Sequence, residues 1–433
     1  MNFTDNAYRF RQDSSFLYYF GLDVAGLAAM IDTESGEEIV FGTELTIDDI
    51  VWTGPLPTIK EMAHAVGVQV TKDFGDIDAL LTKARSTGRT IHFLPPYRHD
   101  NLIRIATWMN IAIQEVKNHV SLPLIKSIVA QRSIKEPVEV QEMHKAALLT
   151  SDMHLTAMKY AKPGMKEYEI VSAVHQKAIA GGGELSFPII LTVNGETLHN
   201  HYHGNTIQEG QMILCDAGAE TAMHYAGDMT CTFPVGKTFT SRQKDIYNIV
   251  LRTHEAAVDM LRPGILYRDI YLQAAENIFS GLKDLGITKG DPKEAVMAGA
   301  HAMFFQCGLG HMLGLDVHDM EDLGEIYVGY GDDMDKSTQF GMKSLRLGRA
   351  LQAGFALTVE PGIYFIPTLI DKWKAEGKFE QYINYEVLAQ YRDFSGIRIE
   401  EDFVITQEGS QLLGKSLPKS VAEIEDIRRI ALT

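Results

Sequence analysis

The chain is poor in cysteine: its 433 residues include three, Cys215, Cys231 and Cys307. An odd number without CxxC spacing excludes a disulfide scaffold and suits a reducing cytoplasm. Long apolar runs are missing too. None reaches the roughly 18 residues that suggest a membrane-spanning helix, and the opening stretch MNFTDNAYRFRQD is polar and charged, unlike a secretory leader. Positive charge is scarce. Lys and Arg total 40 against 57 Asp and Glu, a net charge of −17, which argues against a nucleic-acid surface and against binding to an anionic membrane. No segment is of low complexity. What remains is an ordinary globular composition, 45% hydrophobic and 22% charged, on a chain long enough for two domains.

Residues 1–125 mix strand-like runs (SSFLYYFGL, GLAAMID, EEIVFG, TIHFLPP) with helical ones (TIKEMAHAVG, DIDALLTKARSTG), an α/β pattern. Pro123 and Pro137 punctuate the end of this region, so a second, larger domain is expected over 126–433. It opens with a long helical stretch, VEVQEMHKAALLTSDMHLTAMKYA. Two of its segments share one plan: MKYAKPGMKEYEIVSAVHQKAI and VDMLRPGILYRDIYLQAAENIF. In both, a helix ends at Pro-Gly and an amphipathic helix comes next, with strand-rich sequence after it. A duplicated α+β unit would bring carboxylates from both halves to one centre.

The first strand-rich stretch, LCDAGAETAMHYAGDMTCTFP, sets Asp216 and Asp228 in apolar surroundings. If it turns near Ala222 the two aspartates face each other across a hairpin, with Cβ atoms about 4.5–5.5 Å apart. Unpaired buried charge is costly, so something positive is expected between them. Further candidates lie downstream. CGLGHMLGLDVHD holds His311 and His318 among glycines, and LTVEPGIYF ends an apolar strand in Glu360. In GIRIEEDFVIT, alternation puts Arg398, Glu400 and Asp402 on one face and Glu401 with Ile397, Ile399 and Phe403 on the other. Periodicity alone leaves open which glutamate points inward. Four carboxylates with an imidazole suit manganese, cobalt, iron or zinc. They are too many for one catalytic zinc and fit two ions about 3.5–4 Å apart.

This ordered set resembles the pita-bread metallopeptidases that cleave beside proline, aminopeptidase P and prolidase. YRFRQDSSFLYYFGL resembles the N-terminal domain of aminopeptidase P. The resemblance implies an α+β fold, with a pita-bread catalytic domain over 126–433 and a smaller α/β domain over 1–125, shortened at its start. It implies that Asp216 binds one metal, that His311 and Glu360 bind the other, and that Asp228 and Glu400 bridge the pair. The cofactor is then two divalent ions, manganese first, with cobalt, zinc or iron as alternatives. It further implies that His199 contacts substrate, although LHNHYHGN also offers His201 and His203. His318 would stabilise the reacting centre, and Arg398 would sit beside the metals. Cys307 departs from the pattern, since relatives often carry histidine there and a thiol is a weaker hydrogen-bond partner.

The activity expected is that of an Xaa-Pro aminopeptidase in the cytoplasm, acting on proline-containing peptides and assembling as a homo-oligomer. The main alternative is an Xaa-Pro dipeptidase, towards which the sequence between about residue 344 and GIRIEEDFVIT leans. A non-catalytic pita-bread binding protein is less favoured because all five ligand positions are filled, and a generic two-metal phosphatase does not match the ordered motifs.

Overall fold

A computed structural model describes residues 6, 8–332 and 334–433. Residues 1–5 and 7 of the polar opening stretch lie outside the described residues. Among the described residues no helix is long and apolar enough to cross a membrane. The chain divides into two compact units, residues 1–132 and 133–433. The helix Leu122–Ser133 runs through positions 125 and 126, so the division comes at its end.

The N-terminal unit is built on three strands. Ala28–Ile31 pairs antiparallel with Glu38–Gly42, which pairs parallel with Val70–Asp73. Alternation along the central strand feeds two small cores. Val40 packs with Phe20, Ile59 and Val68, while Ile39 and Phe41 pack with Ile77 and Leu81. Two of the strand-like runs take other forms. SSFLYYF is the helix Ser14–Phe20, because Asp13 caps it, accepting from Phe16 N at 3.0 Å, and Gly21 ends it in a left-handed turn. These terminal signals outweigh the β-propensity of its aromatic residues. TIHFLPP forms no strand, since Pro95 and Pro96 have no N–H to donate to a ladder.

In the larger unit the repeated plan is visible in the backbone. The helix Pro137–Tyr160 leads through Gly164 to Glu167–Ala180, and Ser241–Asp259 leads through Gly264 to Tyr267–Asp284. Both glycines have positive φ, 92° and 87°, which a side chain would resist. Gly164 N donates to Ile207 O and Gly264 N to Leu351 O, both at 2.8 Å, and Lys166 bridges to Thr206 as Leu266 does to Ala350. Each half then sends a buried strand to the centre: Met212–Ala217, which carries Asp216, and Ala356–Val359, which leads to Glu360.

Around the first strand, Ile190–Thr192 and Met229–Pro234 pair antiparallel on either edge. Ala356–Val359 pairs with Glu401–Ile405, and Gly362–Tyr364 with Gly396–Arg398. A bridge between Thr230 and Glu400 joins the two halves. Strands Met212–Ala217, Met229–Pro234 and Glu401–Ile405 are buried throughout. Any charge on them must therefore find a partner.

Candidate metal centre

The two aspartates are not directly opposed. Asp216 pairs with Thr230 and Ala217 with Met229, so Asp216 and Asp228 stand diagonally on one face. The turn lies one residue later than Ala222. Thr221 N donates to Tyr225 O at 3.0 Å, His224 N to Thr221 O at 2.8 Å, and Glu220 bridges to Ala226. Moving the turn by one residue moves the register by two, which keeps both carboxylates on the same face.

His311 and Glu360 arrive together. Gly310 lets its segment lie flat against the strand Ala356–Val359, because a Cβ there would stand 2.1 Å from the Thr358 carbonyl oxygen. Thr358 N then donates to His311 O at 3.1 Å and Glu360 N to Leu309 O at 2.8 Å. The ring's Nδ1 is 3.0 Å from Met312 O. That contact assigns the proton to Nδ1 and leaves Nε2 for a cation. Nε2 lies 3.3 Å from Asp228 Oδ2 and 3.9 Å from Glu360 Oε1.

Glu400 is delivered by Thr230, whose carbonyl accepts from Glu400 N at 3.0 Å and whose Oγ1 donates to Glu400 Oε2 at 2.6 Å. Asp228, His311 and Glu400 offer ligand atoms all within 4.8 Å of one another. Glu401 points the other way. It accepts from Ser416 Oγ at 2.9 Å and Leu417 N at 3.0 Å, and it pairs with Lys419. Arg398 connects the halves: it pairs with Asp216 and donates to Thr230 Oγ1 at 3.0 Å and Tyr364 OH at 2.8 Å.

Burial pushes the carboxyl of Asp216 up to about 7, with Arg398 opposing and Asp228 and Glu360 adding to the rise. Glu360 is raised by burial against the pull of His311, and Glu400 stands well above the usual range through burial and then Asp228. Burial lowers His311, but Asp228 and Glu360 outweigh it and lift the imidazole to about 9. Each of these shifts has the sign that a concentration of negative charge produces. Asp216 Oδ1 and Asp228 Oδ1 are also buried without a hydrogen-bond partner, a costly state for carboxylate oxygens. The orphaned Asp228 oxygen, with an imidazole nitrogen and Glu400 close by, is part of the donor set a divalent cation takes, so the residues fit a metal.

A cavity of about 380 Å³ opens beside the cluster, and His199, His201, His318, Cys307 and Arg346 line it with the five acidic and imidazole groups and Arg398. His203 does not line it; its Nδ1 lies 3.2 Å from Leu191 O. The His318 ring meets the His311 ring edge-on, with centroids 4.3 Å apart. Burial lowers both His199 and His318, the latter to about 2, which favours the neutral imidazole. Burial drives the Cys307 thiol up to about 12, and its Sγ lies 3.9 Å from Tyr364 OH.

With this geometry in place, comparison with known proteins is decisive. Residues 141–407 match the model of metallopeptidase family M24, and residues 1–92 match the aminopeptidase P N-terminal domain. The chain belongs to family M24. This M24 peptidase is 34% identical over 432 residues to an Xaa-Pro dipeptidase of Homo sapiens, covering 98% of this chain and 85% of that one. It is 31% identical over 430 residues to a probable Xaa-Pro aminopeptidase of Sordaria macrospora, covering 98% and 88%. Among solved structures it superimposes on zinc-substituted E. coli aminopeptidase P in complex with product. The TM-score is 0.80 at 28% identity, covering 100% of this chain and 92% of that one. Its fold is the α+β pita-bread arrangement with an additional N-terminal domain, and it is a hydrolase.

Sequence reasoning missed three of the M24 peptidase's supports. Thr230 stands opposite Asp216 on the paired strand, and it links Arg398 to Glu400. Tyr364 closes one side of Arg398. Asp402, wholly buried, accepts from Asp228 N at 2.9 Å. The alternation that placed Glu400 with Arg398 had put Asp402 on the same face, and that was the available signal.

Proposed function

We propose that this peptidase is a two-metal exopeptidase that hydrolyses the bond between an N-terminal residue and proline, with free Xaa-Pro dipeptides as its best substrates. The observation that carries the dipeptide preference is Arg346. Arg346 lines the cavity, and its guanidinium pairs with Glu321 and lies 3.8 Å from Glu325. A dipeptide presents a free carboxylate one residue beyond the scissile bond, and a fixed arginine is the group that reads it.

Asp216 would hold one ion, His311 and Glu360 the other, with Asp228 and Glu400 shared, and manganese is the proposed metal. Bound there, the ions supply a Lewis-acidic centre that activates water and polarises the scissile carbonyl. The chain's own groups do the rest. His199 and His318, neutral and on the cavity wall, donate to the developing oxyanion. Glu360, its carboxyl raised by burial, carries a proton to the leaving proline nitrogen. Arg398 holds Asp216 in orientation from behind. Three thiols without disulfides support a cytoplasmic setting. The N-terminal domain is proposed to mediate homo-oligomer formation.

A second reading, the Xaa-Pro aminopeptidase, draws support from the aminopeptidase P N-terminal domain match. One experiment divides them. Xaa-Pro dipeptides should be hydrolysed with a kcat/KM about 10-fold or more above that for Xaa-Pro-Xaa tripeptides, a difference of about 1.4 kcal/mol. Arg346→Leu should raise KM for the dipeptide alone. Tripeptides cut as well as dipeptides would move the assignment to the aminopeptidase.

A further inference from the structure

The loop that carries His318 is anchored from outside the cavity. Asp319 is completely buried, and its Oδ2 lies 2.6 Å from Nζ of Lys135, whose side chain is 2% exposed. Asp319 Oδ1 also accepts from Asp316 N at 3.4 Å, and Asp319 N donates to Met312 O at 3.0 Å. The loop therefore closes on itself one residue after His311. Lys135 is fixed at its other end, because its backbone N donates to Gly354 O at 2.8 Å. Gly354 shortly precedes the strand that leads to Glu360. Gly314 makes room for the pair: a Cβ there would stand 2.4 Å from Asp319 Oδ2 and 2.7 Å from Lys135 Nζ.

Neither Lys135 nor Asp319 lines the cavity, so neither serves as a substrate contact. A buried ion pair is not a cheap source of stability either, since an apolar pair of similar volume often does as well. What it provides is a fixed separation between two segments. The loop needs holding: Met320, just beyond Asp319, has φ of 62°, a left-handed backbone that a methionine seldom adopts unless its surroundings impose it.

We propose that Lys135 and Asp319 are positioning residues for His318, fixing its ring against His311 by tying its loop to the start of the Glu360 strand. The inference rests on the peptidase reading given above and names residues that act through His318. It predicts a particular pattern of coupling. With His318 in place, loss of the pair displaces the ring and slows the chemical step. With His318 removed, loss of the pair has nothing left to misplace.

The test is a double-mutant cycle on an Xaa-Pro dipeptide, with kcat, KM, melting temperature and metal content measured for each protein. Lys135→Met should lower kcat by between about 10- and 100-fold while metal content and KM change little. In a His318→Ala background the same substitution should cost less than about 2-fold further. If Lys135→Met does not fold, the double variant Lys135→Met/Asp319→Leu, which removes both charges of the pair, replaces it in the cycle. An equal loss in both backgrounds, or undiminished kcat in the folded double variant, would overturn the proposal. An active wild type with additive losses removes this inference alone. A wild type that hydrolyses no Xaa-Pro bond removes the peptidase reading with it.

Discussion

Replacing Glu401 by glutamine keeps its size and removes its charge, and the same change at Glu400, its neighbour, should have the opposite phenotype. Both side chains are buried, Glu400 at 2% and Glu401 at 1%. Glu401 accepts from Ser416 Oγ, Leu417 N and Lys419. A glutamine retains one acceptor oxygen and turns an amide donor towards a second donor. Losing one charge-assisted bond and mispairing one buried group costs about 3 kcal/mol, or roughly 5–10 °C in melting temperature for a unit of this size. The catalytic face should be undisturbed, so kcat per folded molecule should stay within about 2-fold. Burial pushes the Glu400 carboxyl upward, and Asp228, Glu360 and Asp216 around it add to the rise. Neutralising it relieves repulsion, so the metal-free protein should melt no lower than wild type. Turnover should nevertheless fall on the order of 100-fold or more, because the proposed shared metal ligand is lost. The assay is thermal unfolding in chelator beside dipeptide hydrolysis with added metal. If Glu400→Gln melts early and stays active while Glu401→Gln melts normally and is dead, the assignment of the two faces is wrong.

Two further outcomes stem from buried charge. His254 is fully buried with neither ring nitrogen hydrogen-bonded, and burial, then Lys419, lowers its pKa to about 3. An unfolded imidazole titrates near 6.5, so between these values the unfolded chain binds a proton that the folded one refuses. Stability should therefore fall as pH drops from about 6.5 towards 3, by about 1.4 kcal/mol per pH unit from this group. His254→Leu should flatten the slope of unfolding free energy against pH by that amount, and unchanged slopes would refute the assignment. Arg428 is fully buried and donates to the carbonyls of Pro234, Met158, Ala161 and Val235. Arg428→Met strands those acceptors, two at the end of the helix Pro137–Tyr160 and two at the end of the strand Met229–Pro234, so it should cost about 3–5 kcal/mol. Normal specific activity in the folded fraction is expected, and a melting temperature equal to wild type would contradict this.

The candidate site was more legible in the sequence than its framework, for a physical reason. Asp216, Asp228, Glu360 and Glu400 were conspicuous because each sits in or against an otherwise apolar strand, where a carboxylate needs an explanation. The repeated Pro-Gly turns were equally plain, since each glycine must adopt positive φ. Register was not legible. The Asp216–Thr230 pairing depends on where a five-residue turn centres, and His224 takes a positive φ there that no composition rule would assign to it. Nor was Ser14–Phe20 readable as a helix, because its aromatic run favours a strand and only the flanking Asp13 and Gly21 decide otherwise. Long-range partners such as Lys419 for Glu401 and Lys135 for Asp319 lie far away in sequence, and nothing local marks them.

The central claim is that two divalent ions lie among Asp216, Asp228, His311, Glu360 and Glu400. Anomalous X-ray diffraction from crystals of the manganese-loaded protein tests it directly. Two anomalous peaks about 3.5–4 Å apart, bounded by those five side chains, are predicted. Anomalous density that shows no ion there, or a single ion bound away from Asp228 and Glu400, would contradict the account.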